Sequence, residues 1–312
     1  MSTIKLNNDI VYDVLVIGGG PAGLNAALYT KRKGWNVGII ANNVGGQVMD
    51  TSTVENYLGI PEISGMGLVE KFVDHVKELN IPIGEFINVE SINMADSNIK
   101  EVITNEGVFK SKSIIIATGS KPRKLGVAGE MEYAGKGVAY CAICDGPLFA
   151  GEDVIVAGGG NSAVEAAIDL AKIAKSVTLV HRSEFRADKI LLDQLEDFDN
   201  MTIKLNTQIQ EIVGEKMMTG IKVLDKNNNE SYTIPASGIF VEIGYLPNSS
   251  QFKDLIQLND KGEIIVDRFN STNRKGIFAA GDITDSPYKQ IIISAAQGAT
   301  AALAANDYLN TL

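Results

Sequence analysis

Val11-Tyr12-Asp13-Val14-Leu15-Val16-Ile17 runs directly into Gly18-Gly19-Gly20-Pro21-Ala22-Gly23. The first seven residues form an apolar run of strand length. Residues 24–33 have the small-residue, amphipathic spacing of a helix, closed by Gly34 where a C-cap glycine belongs. Residues 36–40 are strand-like again. Strand, glycine turn, helix and strand make a βαβ unit of about thirty residues. Within it, Gly18-x-Gly20-x-x-Gly23 has the spacing that dinucleotide binding requires. The first glycine permits the tight turn, the second lets the backbone approach a pyrophosphate, and the third allows close helix–sheet packing with the phosphates on the helix N-terminus. A plain glycine turn would need neither that spacing nor the strand and helix around it. One position departs from the pattern: about twenty residues on, Asn42 and Asn43 stand where an acid usually holds the ribose. An amide also bonds a hydroxyl.

The same grammar recurs. Asp153-Val154-Ile155-Val156-Ala157 is strand-like, Gly158-Gly159-Gly160-Asn161-Ser162-Ala163 is the turn, residues 164–172 have helical spacing, and residues 176–180 form the next strand. Gly158-x-Gly160-x-x-Ala163 fits the variant with alanine in the third place. The two units lie too far apart in the chain for a solenoid repeat and read as two nucleotide-binding domains. His181, Arg182 and Arg186 follow the second unit's second strand. NAD sites favour an acid there for the 2′-hydroxyl, whereas arginines accommodate a 2′-phosphate. The bland alternative is a solvated strand end; the position and the lack of a competing carboxylate favour the phosphate. Two dinucleotide sites in one chain imply an electron path from a nicotinamide to a flavin.

Elsewhere, residues 86–89 and 99–104 read as short antiparallel strands with a turn at Asp96-Ser97-Asn98. Residues 113–119 read as a buried strand ending in small residues. Residues 220–224 and 232–234 flank Lys226-Asn227-Asn228-Asn229 as a hairpin, residues 276–282 form a strand with an acidic tip, and residues 290–308 a long Ala-rich helix. Glycine and proline concentrate at 118–124 and 244–247, the expected crossings between domains. The 312 residues suit about two domains, and 45% apolar with 21% charged residues is ordinary for a soluble globular chain. A net charge of −10 repels phosphate backbones and argues against nucleic acid as a partner. The first ten residues contain no apolar h-region, and no apolar stretch approaches the roughly 18 residues of a membrane helix. A soluble, cytoplasmic protein with no membrane partner is expected.

The chain's two cysteines both fall in Cys141-Ala142-Ile143-Cys144-Asp145. A zinc site needs more ligands than this pair, and His75 and His181 lie in unrelated elements, so no metal is expected. A structural disulfide over so short a loop would stabilise little. Two free thiols that share this spacing by chance are one reading. The favoured one is a redox-active dithiol whose short loop makes it easy to reduce. Asp145 is either a proton shuttle for the departing thiolate or a turn residue in Asp-Gly-Pro.

Taken in order, Gly18-Gly19-Gly20-Pro21-Ala22-Gly23, Gly45-Gly46-Gln47, Val54-Glu55-Asn56, Ala117-Thr118-Gly119, Cys141-Ala142-Ile143-Cys144-Asp145-Gly146, Gly158-Gly159-Gly160-Asn161-Ser162-Ala163 and Ala279-Ala280-Gly281-Asp282 resemble the low-molecular-weight thioredoxin reductase family over nearly the whole chain. Cys144-Asp145-Gly146-Pro147-Leu148-Phe149, Glu165-Ala166-Ala167-Ile168-Asp169-Leu170 and Pro287-Tyr288-Lys289-Gln290-Ile291-Ile292-Ile293 look closer still to one branch, the reductase module of the alkyl hydroperoxide reductase flavoprotein subunit. The resemblance implies FAD on Gly18, Gly20, Pro21, Ala22 and Gly23, on Asn42, Gly45, Gly46, Gln47 and Asn56, and on Gly281, Asp282, Lys289, Gln290 and Ile291. It implies NADPH on Gly158, Gly160, Asn161, Ser162, Glu165, His181, Arg182 and Arg186, with Glu165 near the nicotinamide. Cys144 would face the flavin, Cys141 would exchange with the partner disulfide, and Asp145 would serve as acid–base. The family is homodimeric, and its small domain swings so that flavin meets nicotinamide and dithiol in turn.

Two departures matter. The family's NADPH motif is His-Arg-Arg, three residues, then Arg; this chain has His181-Arg182-Ser183, two residues, then Arg186. One arginine and one residue of spacing are missing, which leaves NADH possible. The hydroperoxide reductase branch carries a fused N-terminal thioredoxin-like domain, whereas this sequence starts at the FAD strand, so within that branch its dithiol partner is expected to be a separate protein.

The expected fold class is α/β, with two Rossmann-like domains. Residues 1–117 and 246–312 are expected to form a split FAD-binding domain around an NAD(P)H-binding domain, 118–245, that carries the dithiol. The expected activity is thioredoxin reductase, from NADPH through FAD and Cys141–Cys144 to thioredoxin or a thioredoxin-like carrier. The rivals are an NADH-preferring reductase of a glutaredoxin- or thioredoxin-like carrier feeding a peroxiredoxin, a ferredoxin-dependent flavin thioredoxin reductase, and a non-catalytic nucleotide-sensing module, against which the Cys-x-x-Cys pair weighs.

Overall fold

The computed structural model describes residues 5–51, 53–94 and 98–312. Asp96 and Ser97 of the expected turn lie outside them. The chain divides into two compact units, Met1–Lys121 with Leu246–Leu312, and Pro122–Tyr245. Among the described residues no helix is long and apolar enough to cross a membrane.

The first unit opens with β1 (Val11–Gly19), α1 (Pro21–Arg32), β2 (Val37–Val44), α2 (Gly65–Glu78), β3 (Ile83–Gly84), β4 (Val89–Met94), β5 (Lys100–Thr104) and β6 (Gly107–Ile116), and the chain leaves it through β7 (Ser120–Pro122). Its sheet runs β3-β2-β1-β6-β5-β4. The pairs from β3 to β6 are parallel, and β6-β5-β4 is an antiparallel meander. A parallel strand covered on both faces has apolar residues at consecutive positions, and β1 shows it. Val14 and Val16 enter one core with α1, while Leu15 and Ile17 enter another on the opposite face. The strand expected over 86–89 begins only at Val89. Phe86 has a positive φ of 60°, and the Phe86 and Ile87 amides donate to Asn42 and Ala41 carbonyls at 3.2 and 3.0 Å, which docks this segment on the end of β2.

The second unit contains β8 (Val138–Ala139), α3 (Ala142–Asp145), β9 (Asp153–Ala157), α4 (Asn161–Ala171), β10 (Ser176–Val180), α5 (Lys189–Gln194), β11 (Met201–Lys204), β12 (Thr207–Gly214), β13 (Met218–Asp225), β14 (Glu230–Pro235) and β15 (Gly238–Val241). A parallel five-stranded sheet, β11-β10-β9-β15-β8, carries α4 against one face, and the antiparallel β12-β13-β14 sheet packs on the other. Val154 and Val156 of β9 enter the α4 core; Ile155 and Ala157 meet Ile221 and Val223 of β13.

The chain returns to the first unit in β16 (Tyr245–Pro247), adds β17 (Ile277–Ala279), and ends in α6 (Ile291–Leu309). β17 pairs in parallel with the C-terminal half of β6, from Ile114 to Ile116, whose N-terminal half is already paired with β5. α6 packs its alanines, Ala301, Ala302 and Ala305, against α1. The contact is close at Gly298, where a Cβ would overlap the Ala22 carbonyl. Each unit is therefore a doubly covered, mainly parallel α/β layer.

Candidate active site

Two half-sites emerge, one in each unit. In the first, Gly18 is the second-last residue of β1, and its φ of +122° and close approach to the Ala117 carbonyl leave no room for a Cβ. Gly20 is the N-cap of α1, Pro21 occupies the first turn, and Ala22 and Gly23 are buried. A Cβ on Gly23 would overlap the Gly18 carbonyl, whereas one on Gly20 would meet nothing within 4 Å. The loop thus packs tightly on its protein side and is open above the helix N-terminus, as a dinucleotide pyrophosphate requires.

Other predicted residues converge on this loop. The Gly45 amide donates to the Gly19 carbonyl at 2.8 Å, which brings Gly45-Gly46-Gln47 alongside. Gln47 Nε2 donates to Asp282 Oδ2 at 3.3 Å, and the Ser294 hydroxyl donates to Asp282 Oδ1 at 2.8 Å. Burial raises the Asp282 carboxyl above its ordinary range, opposed by Ser294, Lys289 and Gln47. The Gly281 amide donates to Gln297 Oε1 at 2.7 Å. Asn56 Nδ2 donates to Gln290 Oε1 at 3.3 Å; Gln290 is the N-cap of α6 and Ile291 its first residue. Lys289 is engaged inside the protein, with Glu263 at 3.1 Å and the Thr284 carbonyl. Asn42 lies exposed on the last stretch of β2. Ser294 and Gln297 are absent from the sequence reading. One turn apart on α6, they interrupt its alanine run on the side that meets Gly281 and Asp282, and that polar interruption is the signal that could have found them.

In the second unit Gly160 is the N-cap of α4, and a Cβ there would again meet nothing within 4 Å. The loop has the same open form as the first and suits a second dinucleotide. Asn161, Ser162 and Glu165 are exposed along the start of α4. His181 is not on a solvated strand end. It is buried, with its ring beneath Gly159 and stacked on Phe185, and its Nε2 lies 3.2 Å from the Ser183 hydroxyl. Burial, then Arg186, Arg182 and Lys226, hold its pKa below the usual histidine value. Arg182 and Arg186 are exposed.

The same unit holds Cys141 and Cys144 joined as a disulfide, with Cα atoms 5.3 Å apart. Cys141 precedes α3 as its N-cap; the Cys144 amide donates to Cys141 Sγ at 3.2 Å and the Asp145 amide to the Cys141 carbonyl at 3.0 Å. Burial pushes the Asp145 carboxyl up to about 6. A further carboxyl, Glu242, lies just past β15 and accepts from the Ala142 amide at 3.2 Å. Burial pushes it up to about 7, with that one amide working against the rise. Sequence reasoning missed Glu242. Its signal was available: an acid directly after the apolar Gly238–Val241 strand, at the carboxyl edge of a parallel sheet where ligands bind. Among the described residues no cluster of His, Cys, Asp or Glu is arranged to hold a metal.

The chain from residue 12 to residue 301 matches the family model described as pyridine nucleotide-disulphide oxidoreductase. It is 48% identical over 306 residues to an alkyl hydroperoxide reductase subunit of Staphylococcus aureus, covering 98% of this chain and 60% of that relative. The chain thus spans about 60% of the length of the curated relatives it matches. Thioredoxin reductase from Streptococcus pyogenes superposes with a TM-score of 0.92 at 37% identity, over 98% of this chain and 100% of that one. The thioredoxin reductase of Giardia duodenalis gives a TM-score of 0.89 at 30% identity, over 96% and 99% of the two chains. With two glycine loops, a Cys-x-x-Cys disulfide and relatives at these levels, the chain belongs to the pyridine nucleotide-disulphide oxidoreductases, in the low-molecular-weight thioredoxin reductase group and close to the alkyl hydroperoxide reductase flavoproteins.

Proposed function

We propose that the chain is a thioredoxin reductase, passing electrons from NADPH through FAD and the Cys141–Cys144 disulfide to thioredoxin or a thioredoxin-like carrier. The disulfide carries this reading: it is formed in the unit that also holds one dinucleotide loop, in a chain whose other unit holds a second. On this reading Met1–Lys121 with Leu246–Leu312 holds FAD, on the first glycine loop, Gln47, Asn56, Asp282 and Gln290, and Pro122–Tyr245 holds NADPH. Bound FAD supplies the relay between a hydride donor and a disulfide.

The protein's own residues manage sulfur and proton. Opening the disulfide takes two electrons and two protons and breaks the Sγ–Sγ bond, with Cys144 as the electron-receiving sulfur. Cys141 then attacks the carrier disulfide as a thiolate, forming a mixed disulfide and releasing one carrier thiol. Cys144 attacks Cys141 Sγ, restoring the internal disulfide and releasing the second thiol. Asp145, with its carboxyl raised to about 6, holds a proton for the departing thiolate. Ile143, between the two cysteines, and Leu148, four residues after Cys144, are 64% and 52% exposed, apolar surface for the carrier.

Similarity to the hydroperoxide reductase relatives favours a second reading, an NADH-preferring reductase of a separate carrier that feeds a peroxiredoxin. A ferredoxin-fed enzyme would not need Arg182, Arg186 or the intact second loop. We further propose a cytoplasmic homodimer. The test is steady-state reduction of thioredoxins from the same genome with NADPH and with NADH, on protein whose flavin content is measured first. The expected result is bound FAD, turnover with thioredoxin and a modest NADPH preference. Cys144→Ser should abolish disulfide turnover while stopped-flow flavin bleaching by NADPH stays near the wild-type rate. Folded protein without flavin, or full turnover by the variant, would overturn the reading; a preference for NADH would select the second one.

A further inference from the structure

The segment after β10 folds back over the second glycine loop. The Arg186 amide donates to the Gly159 carbonyl at 2.8 Å. Asn161 and Asp188 bond reciprocally, the Asn161 side-chain amide to Asp188 Oδ2 at 2.8 Å and the Asp188 backbone amide to Asn161 Oδ1 at 2.9 Å. These bonds fix the Arg186 backbone against the glycine loop, and Arg182 directly follows His181, whose ring lies beneath Gly159. A third cation reaches the same place from a distant part of the unit. Lys226, in the turn between β13 and β14, donates from Nζ to the Arg182 carbonyl at 3.0 Å. Its own backbone amide donates to the Asn206 carbonyl at 2.9 Å, which ties the turn down. The fields of Arg186, Arg182 and Lys226 all reach the buried His181 ring and help keep it neutral.

Among the described residues none of Arg182, Arg186 and Lys226 belongs to an ion pair. The nearest acids in sequence are engaged by other groups: Asp225, beside Lys226, accepts from the Asn227 amide at 2.8 Å, Glu184 from the Asn206 side-chain amide at 3.1 Å, and Asp188 from Asn161. Three cations held together beside a dinucleotide loop, on a protein of net charge −10, make a local site for an anion of high charge density.

We propose that Lys226 is a specificity-determining residue that completes a 2′-phosphate site with Arg182 and Arg186, the lysine standing in for the arginine missing from the strand-end motif. The ligand class is an adenosine nucleotide phosphorylated on the ribose 2′-oxygen. The inference rests on the reading that the second glycine loop takes a nicotinamide dinucleotide. A lysine suits the task because its ammonium acts as a point charge that needs no bidentate geometry, and it arrives from a turn whose length is independent of the β10 motif.

Calorimetric titration of the flavin-loaded protein with 2′,5′-ADP and with 5′-AMP tests it directly, because the ligands differ only in the 2′-phosphate. Wild type is expected to bind 2′,5′-ADP the more tightly. Lys226→Ala should weaken 2′,5′-ADP about tenfold, as loss of one charge-assisted contact implies. Its affinity for 5′-AMP should not move, which also reports that the exposed turn leaves the site folded. Lys226→Arg should restore most of the loss. An unchanged 2′,5′-ADP affinity in Lys226→Ala, or equal weakening of both ligands, overturns the role of Lys226. A wild type that binds the two ligands equally overturns the phosphate site itself and leaves the dinucleotide reading without its NADPH preference.

Discussion

Asp145 and Glu242 are carboxyls that burial has made reluctant to ionise, within one unit and at opposite ends of the same short helix, Asp145 its last residue and Glu242 bonded to its first. Their consequences differ in kind. Asp145 is protonated below about 6, so its capacity to donate is present at lower pH and is lost as pH rises through that value. Disulfide turnover should show a limb falling through pH 6. In Asp145→Asn that limb should vanish and the rate drop about a hundredfold, as loss of a general acid implies; a pH–rate profile of both proteins checks it. Glu242 bears on stability. Its folded-state pKa of about 7 lies above the ordinary carboxyl value, so the folded state binds the proton more tightly than the unfolded one. Stability is undiminished below the ordinary value, declines as pH rises towards 7, and carries the full penalty above it, with an upper bound of about 3 kcal/mol. Glu242→Gln keeps an acceptor for the Ala142 amide and removes the charge. It should raise Tm at pH 8 and leave it unchanged at pH 4.5, as thermal unfolding at the two pH values would show.

At the scale of elements, the weight falls on the pairing of α1 with α6. α1 begins at the first glycine loop and α6 begins beside Asp282, so their spacing sets how the two parts of that half-site meet. The spacing depends on Gly298, where a Cβ would overlap the Ala22 carbonyl. Gly298→Ala should cost about 1–3 kcal/mol by overpacking and lower the flavin content of purified protein, read by thermal unfolding and by absorbance. Elements of this local kind were the legible ones. β9, β10 and the glycine loops follow from runs of a few residues, and the hairpin around 226–229 from its turn composition. The start of β4 was missed because a positive φ at Phe86 is imposed by docking on β2. α2 was readable but passed over: Ser64 caps it through the Gly67 amide, and Leu68, Val69 and Val76 mark its buried side. Glu242, Gln297 and Lys226 matter through bonds to residues far away in the chain, at Ala142, Gly281 and Arg182. The acid after β15 and the polar break in the alanine run of α6 are visible locally, but which residues they bond is set by the fold and not by local periodicity.

Across the whole molecule, the α/β class with two Rossmann-like layers was legible because each layer is announced by its own glycine loop. Less visible was how the first layer is completed. β6 is shared lengthwise: its first half pairs with the preceding strand β5, its second with β17, drawn from residues 277–279 near the far end of the chain. The inserted unit, by contrast, is continuous from 122 to 245. On the ribosome this imposes an order. The inserted unit has all its strands before residue 277 is synthesised, while the surrounding layer waits with an unfilled position beside Ile114–Ile116. Nascent chains stalled near residue 285, where the inserted unit has left the exit tunnel and β17 has not, should therefore show protease protection across 122–245 and cleavage within 1–121; the reverse pattern would contradict the order. An insertion that looks like an interruption of the first fold would then be the part of the newborn protein that is finished first, and flavin loading would be among the last events of its synthesis.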